Sequence, residues 1–188
     1  MPIPRVCLCA QPRSGSSMMM RVLQAGGLVI DYVERTNDST SLAIMRQPYG
    51  FFENREAILA NNYVNSFKLL DPTKFADVPT DYKFIFIDRN LTAIINSWKA
   101  IIDAYNNLTS SPLTYNQKIE IATQRNTDWN SILAANPNLF LKLDYDVVAT
   151  DPAAMANSVA QYINTTEFTF DEASAAAAFD LTLYINRN

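Results

Sequence analysis

The sequence of 188 residues contains no histidine and only two cysteines. Without histidine, the chain has no Ser-His-Asp triad, no histidine general base and no histidine-based metal site. Cys7 and Cys9 lie two residues apart in an apolar segment, so we expect both side chains on one face of a strand, as a reduced and buried pair. Two thiols without further Cys or His ligands do not form a zinc site, and we expect no metal.

Long apolar runs are also missing, since none reaches the roughly 18 residues of a membrane span. The first residues lack the pattern of a secretory signal peptide. The formal net charge of −4 argues against general nucleic-acid binding, because the overall field does not attract a polyanion. We therefore expect a cytoplasmic protein with no membrane span and no nucleic-acid partner, folded as a single domain over residues 1–188.

Apolar segments alternate with helical segments along the chain. The segment 82–88 is almost entirely β-branched or aromatic, which is typical of a parallel strand buried on both faces. This alternation predicts the α/β class, with a parallel sheet between two helical layers and ligands at the carboxyl ends of its strands. The predicted strands are 3–10, 28–32, 66–70, 82–88 and 139–143, and the predicted helices are 16–25, 53–61, 90–105, 114–135, 151–163 and 171–179.

The turn between the first strand and the first helix contains Arg13, Ser14, Gly15, Ser16 and Ser17. A small-residue turn that opens a helix presents backbone N–H groups and the positive end of the helix dipole to an anion. Arg13 adds a forked cation and the serines add hydroxyl donors. The turn therefore predicts a phosphate or sulfate site. It lacks the lysine of a Walker A loop, which argues against a nucleotide kinase or hydrolase.

A second candidate anion site follows the segment 82–88. Arg89 stands at the end of this strand, and Ser97 lies eight residues later, just over two turns along the next helix. An arginine at a strand end and a serine on the following helix can hold one phosphate from two sides. Two such sites in one sheet suit a nucleoside that carries phosphate groups at both ends.

Both stretches resemble motifs of the P-loop sulfotransferases that use 3′-phosphoadenosine 5′-phosphosulfate, in particular of small bacterial and phage-like members. Residues 12–19 are similar to the 5′-phosphosulfate loop, and residues 84–98 to the 3′-phosphate motif. The resemblance implies a P-loop NTPase-like sulfotransferase fold, with that nucleotide as co-substrate and a hydroxyl or amine of a small molecule, glycan or peptide as acceptor. It assigns nucleotide binding to Arg13, Ser14, Gly15, Ser16, Ser17, Met18, Arg89 and Ser97.

Sulfuryl transfer needs positive charge on the sulfonate oxygens and a base for the acceptor proton. Arg13 is expected to supply the charge. Cytosolic family members place a histidine base directly after the lysine of a middle strand, but here leucines follow Lys68, so the base has to be a carboxylate. Glu53 is the first choice, in a segment that resembles a Gly-aromatic-aromatic-Glu stretch of small members, and Asp31 and Glu34 are alternatives.

Several alternatives stay open at this point. Glu53 is also compatible with the first turn of a helix, where the dipole favours a carboxylate. Lys68 is compatible with solvent exposure, with an ion pair or with ligand contact. The missing histidine also leaves open a protein that binds a nucleotide on the same scaffold without catalysing transfer.

Overall fold

The computed structural model describes residues 3–31, 33–34, 51–52, 64–106 and 115–179. The strands are β1 (Val6–Ala10), β2 (Val33–Glu34), β3 (Phe51–Phe52), β4 (Phe67–Leu69), β5 (Lys83–Asp88) and β6 (Phe140–Asp144). The helices are α1 (Ser16–Ala25), α2 (Leu91–Asn106), α3 (Tyr115–Ala135), α4 (Tyr145–Thr150), α5 (Pro152–Ile163) and α6 (Glu172–Ala177), and a 3₁₀ helix spans Pro72–Asp77.

Four of the strands form one parallel sheet in the order β4-β1-β5-β6. Strands β2 and β3 pair separately as a short antiparallel ribbon. Side chains of α1, α5 and α6 pack on one face of the parallel sheet, and Trp129 of α3 packs on the other. The structure confirms the predicted α/β class with a parallel sheet between two helical layers.

Strand β1 lies in the middle of this core and is fully buried. Val6, Leu8 and Ala10 point to one face, while Cys7 and Cys9 point to the other. The two sulfur atoms are 3.7 Å apart and both cysteines are free thiols. The prediction that both cysteines are buried on one face of a strand is therefore confirmed.

Several local predictions need correction. The prediction missed helix α4, which follows β6 directly because Asp144 accepts hydrogen bonds from the N–H groups of Asp146 and Val147. Of the predicted strand 28–32, the described residues 28–31 form only an isolated bridge between Ile30 and Ser66. The predicted helix 53–61 lies outside the described residues.

In the ranges that the structure describes, every helix is too short or too polar to span a membrane.

Candidate anion-binding site

The candidate site lies at the carboxyl edge of the parallel sheet. Ala10, the last residue of β1, is paired with Ile87 of β5, and Asp88 is paired with Asp144 of β6. The segments that follow these three strands therefore emerge at one edge. This is the edge where ligands bind in parallel α/β sheets.

The turn after β1 is held by its own hydrogen bonds. Both the N–H group and the hydroxyl of Ser14 donate to the carbonyl of Gln11, at 3.2 and 2.7 Å. Gly15 then begins α1 in the left-handed conformation, at φ +84°, without a side-chain cap. The first helical hydrogen bond is donated by Met19 to Gly15, so the three preceding N–H groups of α1 point out of the helix. An uncapped helix start of this kind suits an anion.

The side chains of the first helical turn have separate roles. Ser16 and Met18 are buried, and Met18 packs in the core beside the sheet. The backbone N–H groups of both residues belong to the uncapped first turn of α1. Ser17 is half-buried, and its hydroxyl accepts a hydrogen bond of 3.2 Å from the ammonium of Lys68.

Lys68 belongs to β4 and is only 5% exposed. This burial rules out the solvent-facing alternative for this lysine. Since its ammonium reaches the first turn of α1, it adds positive charge beside the helix start. An ion pair and ligand contact both remain compatible with this position of Lys68.

Arg13 connects the two predicted motifs. Its Nε donates a hydrogen bond of 3.1 Å to the hydroxyl of Ser97, which is fully buried on α2. Burial lowers the pKa of the Arg13 guanidinium to about 10, with a second contribution from the positive charge of Arg89 and an opposing one from Tyr145. Arg13 also has a positive φ of 75°, which is uncommon for a residue with a side chain. Such strained residues are often found at functional sites.

Arg89 lies directly after β5 and is 8% exposed. Its Nη1 donates a hydrogen bond of 2.5 Å to the backbone carbonyl of Arg13, and its guanidinium lies 4.3 Å from the ring centre of Tyr145. Within the described ranges, its Nε has no hydrogen-bond partner. Neither Arg13 nor Arg89 forms a salt bridge with a described carboxylate. The site thus combines two neighbouring guanidinium groups that lack a carboxylate partner among the described residues, which suits a multiply charged anion.

Sequence reasoning assigned no role to two residues at this site. The ring of Tyr145 packs against Gly15, and Gln11 donates a hydrogen bond of 2.8 Å to Asn126 of α3. Gln11 directly follows a buried strand, and that position in the sequence was enough to predict that it lies at the carboxyl edge of the sheet. The contacts of Tyr145 could not be predicted from the sequence, because they depend on where β6 lies in the sheet.

The catalytic base is not located by the structure. Glu53 lies outside the described residues, and Glu34 is described only through its backbone in β2. The N–H group of Asp31 donates to the carbonyl of Ser66, the residue before β4, so Asp31 lies toward the amino ends of the strands. This position argues against Asp31 as the base. In the described part of the chain, no group of three or more Asp, Glu or Cys side chains is arranged to hold a metal ion.

A scan against protein families finds no match, and no curated protein matches the sequence. Among solved structures, the chain is similar to one titled "Sulfotransferase Domain from the Curacin Biosynthetic Pathway", with a TM-score of 0.53 and 13% sequence identity. The match covers 97% of this chain and 89% of that chain. At this identity the likeness shows the fold, and it confirms the expected sulfotransferase-like scaffold.

Proposed function

We propose that this protein is a sulfotransferase that moves a sulfuryl group from 3′-phosphoadenosine 5′-phosphosulfate to a hydroxyl or amine acceptor. The observation that supports this most directly is the cluster of Arg13 and Arg89 beside the uncapped start of α1. Both guanidinium groups lack a carboxylate partner among the described residues. A buried positive charge without a protein counter-ion is costly, and an anionic ligand offsets that cost. The sulfotransferase-like fold supports the choice of ligand.

In this proposal the two ends of the nucleotide bind at two parts of the cluster. The 5′-phosphosulfate binds at the start of α1, to the N–H groups of residues 16–18, with Lys68 beside it. The 3′-phosphate binds to Arg89 and Ser97. Since Arg13 donates a hydrogen bond to Ser97, this proposal assigns its side chain to the 3′ side, whereas the family resemblance assigned it to the 5′-phosphosulfate loop.

The proposed reaction is an in-line transfer of the sulfuryl group from a 5′-phosphate oxygen to an oxygen or nitrogen atom of the acceptor. A bond forms from the acceptor atom to sulfur, and the bond from sulfur to the 5′-phosphate oxygen breaks. The acceptor proton goes to a carboxylate, for which Glu53 remains the candidate, and the departing 5′-phosphate carries the released charge. The ammonium of Lys68 and the N–H groups of α1 would stabilise that charge as it develops.

Isothermal titration calorimetry with adenosine 3′,5′-bisphosphate, the nucleotide product, tests the proposal. We expect the wild-type protein to bind it, and Arg89→Ala to weaken binding by about 100-fold, with a smaller effect on adenosine 5′-monophosphate. Arg5→Ala is a matched control. Arg5 also stacks on a tyrosine, Tyr82, but forms a salt bridge with Asp81 and precedes β1, at the opposite edge of the sheet. A folded wild-type protein that does not bind the bisphosphate would refute the proposal.

The absence of histidine favours a second candidate, a protein that binds the same nucleotide without transferring the sulfuryl group. Incubation with ³⁵S-labelled donor and a panel of alcohol, phenol and amine acceptors separates the two candidates. Labelled product that disappears in Glu53→Gln, with nucleotide affinity unchanged, supports the enzyme. Tight nucleotide binding without labelled product across the panel supports the binding protein.

A further inference from the structure

Tyr145 contacts two separate parts of the candidate site. It is the first residue of α4, and it is 4% exposed. Asp144, at the end of β6, caps this helix through two backbone N–H groups. The cap fixes the direction in which the chain leaves the sheet, and Tyr145 is therefore held at the carboxyl edge.

The first contact of Tyr145 is with the turn that begins α1. A Cβ atom added to Gly15 would overlap the ring of Tyr145 at Cε2, and it would lie only 2.8 Å from Cδ2. The ring therefore packs directly against the Gly15 backbone. Since Gly15 is the N-cap of α1, this contact holds the start of the helix in place from the side.

The second contact is with the end of β5. The Arg89 guanidinium stacks over the face of Tyr145, with 4.3 Å between the guanidinium carbon and the ring centre. An arginine over an aromatic face is held by cation–π attraction and by its planar shape. The Arg89 side chain has a second constraint, the hydrogen bond from Nη1 to the carbonyl of Arg13. With both constraints, the guanidinium of Arg89 has a fixed position relative to the start of α1.

We propose that Tyr145 is a positioning residue that holds the start of α1 and the Arg89 guanidinium at a fixed separation, so that the site selects ligands with two phosphate groups. This inference rests on the proposed function, because it concerns the same nucleotide. Tyr145 itself makes no contact with the reacting atoms in this proposal. Its effect is on the distance between the two phosphate sites, and therefore on the preference for adenosine 3′,5′-bisphosphate over adenosine 5′-monophosphate.

The test compares these two nucleotides in calorimetric titrations of Tyr145→Phe and Tyr145→Leu. Phenylalanine keeps the aromatic face, so we expect it to retain the preference for the bisphosphate within about threefold. Leucine removes the face, and we expect the preference to fall by about tenfold, which corresponds to the loss of one cation–π contact. Tyr145→Met provides the same measurement if the leucine variant does not fold.

Tyr82→Leu is the matched control, because Tyr82 is also buried and also lies under an arginine, with 4.7 Å between the Arg5 guanidinium carbon and the ring centre. Loss of a buried ring costs stability in both variants, but only Tyr145→Leu should change the preference between nucleotides. An unchanged preference in Tyr145→Leu, or an equal fall in Tyr145→Phe, would overturn the inference. Failure of the wild-type protein to bind either nucleotide would instead refute the proposed function.

Discussion

Arg13 and Ser97 are 84 residues apart in the sequence, yet Nε of the arginine donates a hydrogen bond to the serine hydroxyl over 3.1 Å. This bond joins the turn that opens α1 to helix α2. The two motifs that sequence reasoning treated as separate anion sites therefore share a side chain. A ligand at either motif is expected to affect the other.

Replacement of Ser97 by alanine tests this connection. The variant loses the hydroxyl that accepts the hydrogen bond from Arg13. We expect its affinity for adenosine 3′,5′-bisphosphate, measured by calorimetry, to fall by about fivefold. Ser158→Ala is a suitable control, because its hydroxyl donates to the backbone carbonyl of Ala154 within helix α5. Equal affinities in the two variants would show that Ser97 does not contribute to the site.

Replacement of Gly15 by alanine should destabilise the protein strongly. The new methyl group overlaps the ring of Tyr145, and the alanine has to adopt a φ of +84°. Gly27→Ala is the control, since Gly27 also has a positive φ, but the nearest atoms lie 3.8 Å or more from an added Cβ. We expect a loss of about 1–2 kcal/mol for Gly27→Ala and about 1–3 kcal/mol more for Gly15→Ala, measured by urea unfolding. Equal losses would contradict the close packing of Tyr145.

Replacement of Arg13 by methionine should stabilise the protein while it weakens nucleotide binding. Burial and the neighbouring Arg89 make the charged form of Arg13 unfavourable in the folded chain. Removal of that charge should raise the stability of the ligand-free protein by on the order of 1 kcal/mol, or Tm by about 2–4 °C. Differential scanning calorimetry measures the shift. A lower Tm in Arg13→Met would mean that the arginine stabilises the fold.

The lowered pKa of Arg13 also predicts how the Tm difference between wild type and Arg13→Met depends on pH. The pKa of Arg13 is lowered to about 10 in the folded protein, well below the ordinary value of a guanidinium. Between pH 10 and the higher pKa of the unfolded chain, the unfolded chain binds more protons than the folded one. The destabilising contribution of Arg13 is therefore fully present below pH 10 and is relieved as the pH rises above 10. The Tm difference between wild type and Arg13→Met should therefore be constant from about pH 6 to about pH 9. A difference that vanishes within this range would contradict the assignment to Arg13.

Replacement of Lys68 by methionine should distinguish the two ends of the nucleotide. Lys68 contacts Ser17 in the first turn of α1, and it is therefore expected to act on the 5′ group alone. We expect the affinities for adenosine 5′-monophosphate and for the 3′,5′-bisphosphate to fall equally, by about tenfold. In Arg89→Ala, by contrast, the affinity for the bisphosphate should fall more than the affinity for adenosine 5′-monophosphate. A selective loss of bisphosphate binding in Lys68→Met would place this lysine at the 3′ end.

The sequence by itself determined the α/β class and the main elements that frame the site. The apolar run of β5, the small-residue turn before α1 and the Asp151-Pro152 start of α5 are local patterns, and local patterns specify strands and helix starts. The chain order also placed Arg89 at a strand end. Helix α4 escaped prediction because its six residues are too few to show a helical period.

Only the tertiary structure decided which side chains meet at the carboxyl edge. The bonds from Arg13 to Ser97, from Arg89 to Arg13 and from Lys68 to Ser17 span 84, 76 and 51 residues. The stacking of Tyr145 on Arg89 depends on β6 lying beside β5 in register. Periodicity and propensity describe neighbours along the chain and contain no information on such distant pairs. The sequence therefore indicated an anion site, and the packing of four strands placed its arginines, serines and lysine together.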